Sequence, residues 1–302
     1  MTLSIVVITM NRAEQLRSAL LSCISSVLPE ETEFIVIDNA STDNTETMVR
    51  DFFSEHAFHY VYEREMVNLG VGGGRNRGFE LANGEFVYFL DDDAVISPES
   101  YESFFKLPLS LFQHDESVAS ITTRIYDELL ECDRGVAFSK KNHGNTIPEI
   151  FMYLGGSHFL RREYYDTPLY LDFKYGLEEL VPSIYAIDKG LKNCYLHQIK
   201  ILHQPKRNKW MSGTDERNRI VMDYNVNNYV SKRLIYPSFF APMLFVAFVI
   251  RTARYFGMKV GLWNESAKKL KSQINHINTT ARKVRLKTVF TIMKSYSVGT
   301  AI

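Results

Sequence analysis

Over the first 125 residues, short apolar runs alternate with longer amphipathic stretches. Ser4–Thr9, Phe34–Asp38, Tyr60–Arg64 and Phe86–Leu90 have strand length and are rich in Val, Ile, Phe and Tyr, and each gap between them can hold a helix. The alternation predicts a doubly wound α/β domain on a mostly parallel sheet. The first helix is the best marked. Asn11 stands at its start with Glu14 three residues on, and Leu16, Ala19, Leu20, Cys23, Ile24 and Val27 recur at helical spacing before Pro29.

Beyond residue 125 the pattern loosens. Asn142-His143-Gly144-Asn145 reads as loop, and Gly155-Gly156 precedes the run Ser157 to Leu160. Glu178-Glu179 opens a helix predicted to run to Asp188. From Arg217 the chain reads as helical, broken at Pro237 and Pro242, with a polar link Trp263-Asn264-Glu265-Ser266 before a last basic helix. The longest apolar run there, Phe239 to Ile250, has 12 residues against the roughly 20 that a bilayer span needs, so no transmembrane helix is predicted. The Leu3–Thr9 run is too short for a signal core, and Cys23, Cys132 and Cys194 are scattered with no C-x-x-C spacing. Both features point to a cytoplasmic protein with reduced thiols, without a disulfide framework or a zinc site.

Charge changes the picture more than composition does. With 302 residues, 45% hydrophobic and 23% charged, the chain falls in the globular range and is unlike a disordered or collagenous sequence. Its 35 Lys/Arg and 35 Asp/Glu cancel, but only as an average over two parts. Residues 1–199 carry 16 Lys/Arg and 31 Asp/Glu, net −15, and residues 200–302 carry 19 and 4, net +15. An acidic body is followed by a basic tail.

In open α/β sheets ligands sit beyond the carboxyl ends of the strands, which directs attention to Thr9–Arg12, Asp38–Asp43 and Asp91–Asp93. Three adjacent carboxylates repel one another and resist burial, so Asp91-Asp92-Asp93 calls for hydrogen bonds, protonation or a cation, and Mg²⁺ or Mn²⁺ is the simplest resident. The alternative is a solvated acidic turn ahead of the helix start Ser97-Pro98-Glu99. Gly70 to Gly78 lacks G-K-S/T and fits no G-x-G-x-x-G register, which argues against a P-loop and a dinucleotide fingerprint. It reads as a flexible turn bringing Arg75, Asn76 and Arg77 into a helix start, where cations and amides can meet an anion.

Taken in order, Ser4–Arg12, Phe34–Asp43, Asn68–Gly78 and Gly84–Asp93 resemble the motifs of family 2 glycosyltransferases of the GT-A fold. The resemblance implies a catalytic domain over residues 1–210, with a nucleotide-binding half (1–100) and an acceptor-binding half (101–210), and a helical basic extension over 211–302. It also implies a UDP- or dTDP-sugar donor, a glycan or lipid-linked acceptor in polysaccharide biosynthesis, and inversion at the anomeric carbon. The implied donor contacts are Thr9, Arg12, Asp38, Arg75, Arg77, Asp91 and Asp92, with Asp38 accepting from the N3–H of a uracil or thymine ring. The implied metal contacts are Asp93, Asp91 and His203. Gly155, Gly156 and Ser157 stand for the acceptor side, and Glu178-Glu179 for the acidic base, with Glu179 expected to take the acceptor's proton. Gln204-x-x-Arg207 is followed by Asn208 where processive synthases carry Trp, which implies transfer of a single sugar.

Two other readings stay open at this point. Asp91-Asp92-Asp93-Ala94-Val95 also fits the D-x-D-x-V of haloacid-dehalogenase-like phosphatases, although no later G-D-x-x-x-D follows, and an inactive nucleotide-sugar-binding scaffold would keep the same fold. In the tail, the apolar Phe239–Ile250 stretch followed by Arg251, Arg254, Lys259 and Lys268 suits peripheral attachment at the inner face of the cell membrane. Packing on the catalytic domain or on a second subunit, as a homo-oligomer, is the alternative. No nucleic-acid recognition motif accompanies the basic residues.

Overall fold

The N-terminal apolar runs become parallel strands. In the computed structural model, which describes residues 1–142, 147–173, 176–205, 214–257, 259–276 and 281–302, β1 (Leu3–Thr9) leads through α1 (Ala13–Ile24) to β2 (Thr32–Asp38). The chain continues through α2 (Thr45–Glu55), β3 (His59–Arg64) and α3 (Gly70–Leu81) to β4 (Phe86–Asp91). These four strands pair in parallel, with Thr9 level with Asp38 and Ile8 level with Asp91, so their carboxyl ends line one edge. β1 and β2 are apolar without alternation because both faces are covered.

After β4 come β5 (Ala94–Ile96), α4 (Lys106–His114), β6 (Val118–Asp127), β7 (Cys132–Asp133), β8 (Glu149–Ile150), β9 (Ser157–Arg161), α5 (Leu180–Lys189) and β10 (Lys192–His203). The ten strands form one sheet in the order β3-β2-β1-β4-β9-β6-β10-β5, with β7 on β6 and β8 on β10. β9 runs antiparallel to β4 and β6, so the sheet is parallel in its first half and mixed in its second. The register brings His203, at the end of β10, level with Asp127 and opposite Ala94. Two distant segments therefore converge beside Asp93.

Two local expectations change. The glycine-rich segment Gly70–Gly78 makes up most of α3 and is not a turn, and its glycines let the helix lie close to the sheet: a Cβ on Gly78 would come 2.3 Å from Cγ1 of Val6. Asn11 does not cap α1. It sits at φ 54 and its Oδ1 accepts from the backbone N–H of Thr42 at 2.7 Å, while Asp43 Oδ2 accepts from Ala13 N–H at 3.4 Å. The β1 and β2 exit loops are thereby stitched together. The central part of the loop at His143–Asn145, and Arg207 and Asn208 after Gln204, lie outside the described residues.

The remainder is helical: α6 (Thr214–Ile235), α7 (Ala241–Phe256), α8 (Val260–His276), α9 (Leu286–Ser295) and α10 (Val298–Ala301). Pro237 follows α6, whereas Pro242 sits in the first turn of α7, where its missing N–H breaks no hydrogen bond. The break after α7 falls at Gly257 (φ 55), and Trp263–Ser266 lies inside α8. Ser238–Phe256 forms a 19-residue helical stretch of mean hydropathy 1.4, long and apolar enough to cross a membrane by length and composition, where sequence predicted only a 12-residue run. Its inner side belongs to a second apolar cluster, in which Leu244 and Phe248 pack with Leu180, Val181 and Ile184 of α5 and with Val226 and Ile292. Asp188 of α5 secures the layer, accepting from Arg282 Nη1 at 2.7 Å, Thr288 Oγ1 at 2.5 Å and Arg285 N–H at 2.9 Å. These bonds hold the Asp188 carboxyl down at about 2 although its burial opposes them.

Candidate active site

The carboxyl edge of the sheet gathers the acidic run into three different environments. Asp92 is turned inward and almost fully buried: its Oδ2 accepts from Thr9 Oγ1 at 2.8 Å and its Oδ1 from Arg12 Nη1 at 2.8 Å. Burial pushes Asp92 up to about 6, against the Arg12 guanidinium and with the Asp93 charge adding to the rise. Asp93 accepts from the same Arg12 Nη1 at 3.0 Å and lies 3.3 Å from His203 Nε2. Burial opposes its charge, but His203 and Arg12 hold it below the usual carboxylate range. Asp91 is partly open and accepts from Arg75 Nη2 at 2.9 Å.

His203 is buried with its Nδ1 3.0 Å from Asp127 Oδ2 and the Arg134 guanidinium beside its ring. Burial lowers its pKa, yet the carboxylates outweigh that and raise it. Ligand atoms of Asp91, Asp93 and His203 all lie within 4.8 Å of one another. Two carboxylates and an imidazole at that spacing are a donor set able to hold a divalent cation, the carboxylates being hard oxygen donors and the imidazole a borderline nitrogen. Next to Asp93 a cleft of about 260 Å³ opens between Glu14, Gln15 and Ser18 of α1 and Val95 and Gln204.

A second acidic pair faces the first through one arginine. Glu178 and Glu179 precede α5, delivered by a turn with Gly176 at φ 90 and Leu177 at φ 63. Arg75, on α3, is 2% exposed; its Nη1 donates to Glu179 Oε1 at 2.7 Å and Glu178 Oε1 at 3.2 Å, and its Nη2 to Asp91 and to the Gly155 carbonyl, each at 2.9 Å. Burial works against the guanidinium charge, and three carboxylates overcome it, so Arg75 stays cationic. Burial, then the Glu178 charge, push Glu179 up to about 8 while Arg75 pulls the other way. Glu178 Oε2 is buried without a hydrogen-bond partner. Gly155 leaves the room these side chains use: a Cβ on it would come within 1.9 Å of Glu179 Oε1 and 2.8 Å of Arg75 Nη1, so the ends of both would have to shift.

Of the residues singled out from sequence, the structure brings Thr9, Arg12, Asp91, Asp92, Asp93 and His203 into one cluster, with Arg75, Gly155, Glu178 and Glu179 adjoining. Gly156 borders Asp91: its carbonyl accepts from the Asp91 N–H at 3.1 Å. Asp38 lies at the end of β2 with Oδ1 accepting from Ser41 N–H at 2.7 Å and Oδ2 from Tyr62 Oη at 2.5 Å. Two expectations are corrected. Ser157 cannot face an acceptor: it is fully buried and its hydroxyl bonds with Tyr88 Oη at 2.9 Å and Thr123 Oγ1 at 2.8 Å. Arg77 points away, bonding Glu63 at 2.8 Å and pairing with Glu65 and Glu80 at 3.6 Å, because it sits two residues round α3 from Arg75. Arg75 itself is a buried clamp and not an exposed cation. Sequence reasoning missed Asp127, Arg134 and Tyr62, which reach the site only through strand pairing.

The comparisons with known proteins agree with this architecture. The model for "Glycosyl transferase family 2" matches residues 4–167, more than half the chain. The chain is 34% identical over 215 residues to a poly-beta-1,6-N-acetyl-D-glucosamine synthase of Staphylococcus epidermidis, covering 67% of this chain and 47% of that protein. It spans less than half the length of the curated relatives it matches. Among solved structures, S. aureus TarS 1-349 in complex with UDP-GlcNAc matches with a TM-score of 0.64 at 17% identity, over 97% of this chain and 84% of that one. The mannosyltransferase PcManGT of Pyrobaculum calidifontis, in complex with GDP-Man and Mn²⁺, matches with a TM-score of 0.60 at 17% identity, over 91% and 75%. At such identities the likeness is one of fold, and that fold is GT-A. The phosphatase reading of Asp91-x-Asp93 is set aside, since the matched segment contains the acidic run within the sheet of another family. From the four parallel strands, the acidic edge and the family match across both, the chain belongs to glycosyl transferase family 2.

Proposed function

We propose that this chain is an inverting glycosyltransferase that moves one sugar from a UDP- or dTDP-sugar to a hydroxyl of a glycan or lipid-linked polysaccharide precursor. The observation that carries the reading is adjacency: Arg75 bonds Asp91 of the cation site with one nitrogen and the buried Glu179 with the other. A carboxylate that would hold the charge-offsetting cation and a carboxylate that would accept a proton thus stand on opposite sides of a single side chain. When bound by Asp91, Asp93 and His203, a divalent cation supplies positive charge to the departing nucleoside diphosphate.

This chain's own residues do the rest. Glu179, whose carboxyl is pushed toward neutral pKa by burial, takes the acceptor hydroxyl's proton at its carboxylate. Arg75 fixes that carboxylate, and the Gly155 carbonyl fixes Arg75. Asp38, an acceptor-only group, suits the N3–H of a uracil or thymine ring. TarS is known in complex with UDP-GlcNAc and PcManGT with GDP-Man and Mn²⁺, which supports a nucleotide-sugar donor with a divalent cation here. The relative named as a poly-N-acetylglucosamine synthase supports a polysaccharide context.

A screen of UDP-, dTDP- and GDP-sugars for Mn²⁺- or Mg²⁺-dependent binding and slow hydrolysis tests the reading. A uracil- or thymine-based donor bound only with metal is the expected result. Absence of metal-dependent binding to any nucleotide sugar overturns it, and binding without hydrolysis or transfer would favour the inactive scaffold.

A further inference from the structure

Helix α7 is apolar on every side from Ala241 to Ile250, with Arg251, Thr252 and Arg254 in its last turns, yet only one side of it is covered. Leu244, Ala247, Phe248 and Phe256 face the cluster shared with α5, α6 and α9. The opposite side, at spacing 242, 246, 250 and 253 with Phe245 beside it, is apolar as well, and Phe245, Val246 and Ile250 are 49%, 55% and 61% exposed. A helix with apolar residues on every face is ordinarily enclosed, by protein or by lipid. Phe239 and Val260 extend the exposed strip beyond both ends of α7, and a hollow lined by Ala253, Gly257, Val260 and Trp263 closes it.

The rim of this strip is cationic. Residues 238–276 carry six Lys/Arg and one Asp/Glu, and Arg254, Lys259, Lys268 and Lys271 are exposed. Tyr255 and Trp263 stand at the same end, aromatic groups of the kind that settle at the boundary of hydrocarbon and water. We propose that the outer face of α7 docks in the plane of an anionic lipid bilayer, with its apolar strip entering the acyl boundary and the rim cations on the head groups. A second copy of the chain would bring two cationic rims together and is disfavoured by their repulsion. A span is disfavoured because lipid on all sides would strip Leu244, Phe248 and Phe256 from the core they share with α5. The inference does not rest on the catalytic reading, and its test uses no sugar nucleotide.

Full-length chain is floated with vesicles of phosphatidylcholine, with and without phosphatidylglycerol, at low and high salt. Flotation with the anionic vesicles alone, released by salt, is expected. Val246→Glu/Ile250→Glu, both on the exposed strip, should cut that binding about tenfold or more with an unchanged melting temperature, and the control Leu130→Glu, an exposed loop position elsewhere, should not. Failure of the wild-type chain to float, or equal flotation of the double variant, overturns the proposal. So does a concentration-dependent dimer abolished by the double variant, which would make a second copy the occupant, and so does retention through alkaline carbonate extraction, which would mark a span.

Discussion

Replacing Gly155 by alanine adds one methyl group at the point where the two acidic centres meet. The new carbon would lie 1.9 Å from Glu179 Oε1 and 2.8 Å from Arg75 Nη1, where contacts below 3.0 Å are essentially never found. If Glu179 withdraws it leaves its 2.7 Å bond to Arg75, which is itself held by Asp91 and the Gly155 carbonyl, each at 2.9 Å, so the pair is disturbed together. The carboxylate must retreat by roughly 1 Å, a displacement that can cost about 10²-fold in rate when it misplaces a catalytic group. Overpacking of a tight site adds a stability loss of about 1–3 kcal/mol. On the proposed reading turnover should therefore fall about 10²-fold, while metal-dependent UDP affinity, assigned there to Asp93 and His203, falls far less. The assays are single-turnover transfer or hydrolysis beside calorimetric titration of UDP with Mn²⁺, with Gly135→Ala as control because nothing lies within 4 Å of its Cβ. Wild-type turnover in Gly155→Ala would refute the claim that the Arg75–Glu179 pair is part of the machinery.

Three further outcomes follow from the same geometry. Asp93→Ala removes a proposed cation ligand and the His203 and Arg12 partner, and should abolish the Mn²⁺ dependence of UDP binding measured by calorimetry; chelation by EDTA should do the same to the wild-type chain. A base must be ionised to act, and the folded-state value for Glu179 is raised to about 8, so kcat/KM should climb with pH through the neutral range and level off above about 8. Glu179→Gln should lose about 10²–10⁴-fold in turnover with that pH dependence gone and UDP binding intact; a retained pH profile would assign the titration to another group. Asp188→Ala leaves Arg282, Arg285 and Thr288 without their acceptor and should cost about 2 kcal/mol in chemical denaturation. Because the Asp188 pKa is depressed to about 2, its contribution is complete above its ordinary value near 3.8 and fades as the pH falls toward 2, which a pH series of melting curves would show.

β1, β2 and β4 were legible because each is a short apolar run buried on both faces, and β3, only half-buried, because its Tyr and Val residues stand between two helical stretches; the acidic edge was legible because Asp91 to Asp93 stands at the end of β4. The order of the remaining strands was not. β6, β9 and β10 are adjacent only through long connections, so the convergence of Asp127 and Arg134 on His203, 76 and 69 residues away, leaves no local trace. The glycines of α3 were misread for a specific reason. A cluster of glycines favours turns by backbone entropy, and here close packing of the helix on Val6 and Ile8 outweighs it. Gly74 and Gly78, four apart, already share one helix face, which is the signal that would have revealed it. Ser157 shows the opposite error: a polar residue after two glycines looks exposed, but β9 is interior and its hydroxyl satisfies Tyr88 and Thr123.

α5 is a ten-residue helix with a different attachment at each end. Glu179 stands at its amino terminus against Arg75, and Asp188 in its last turn grips the segment from Arg282 to Thr288. One short helix therefore ties the C-terminal layer, through Asp188, to the candidate site, through Glu179. For protein engineering this means that the helical layer is not an interchangeable cassette. A chimaera that grafts another relative's tail onto this body at residue 211 would take Arg282, Arg285 and Thr288 away from Asp188, whereas a junction placed ahead of Gly176 would carry α5 and the tail across together.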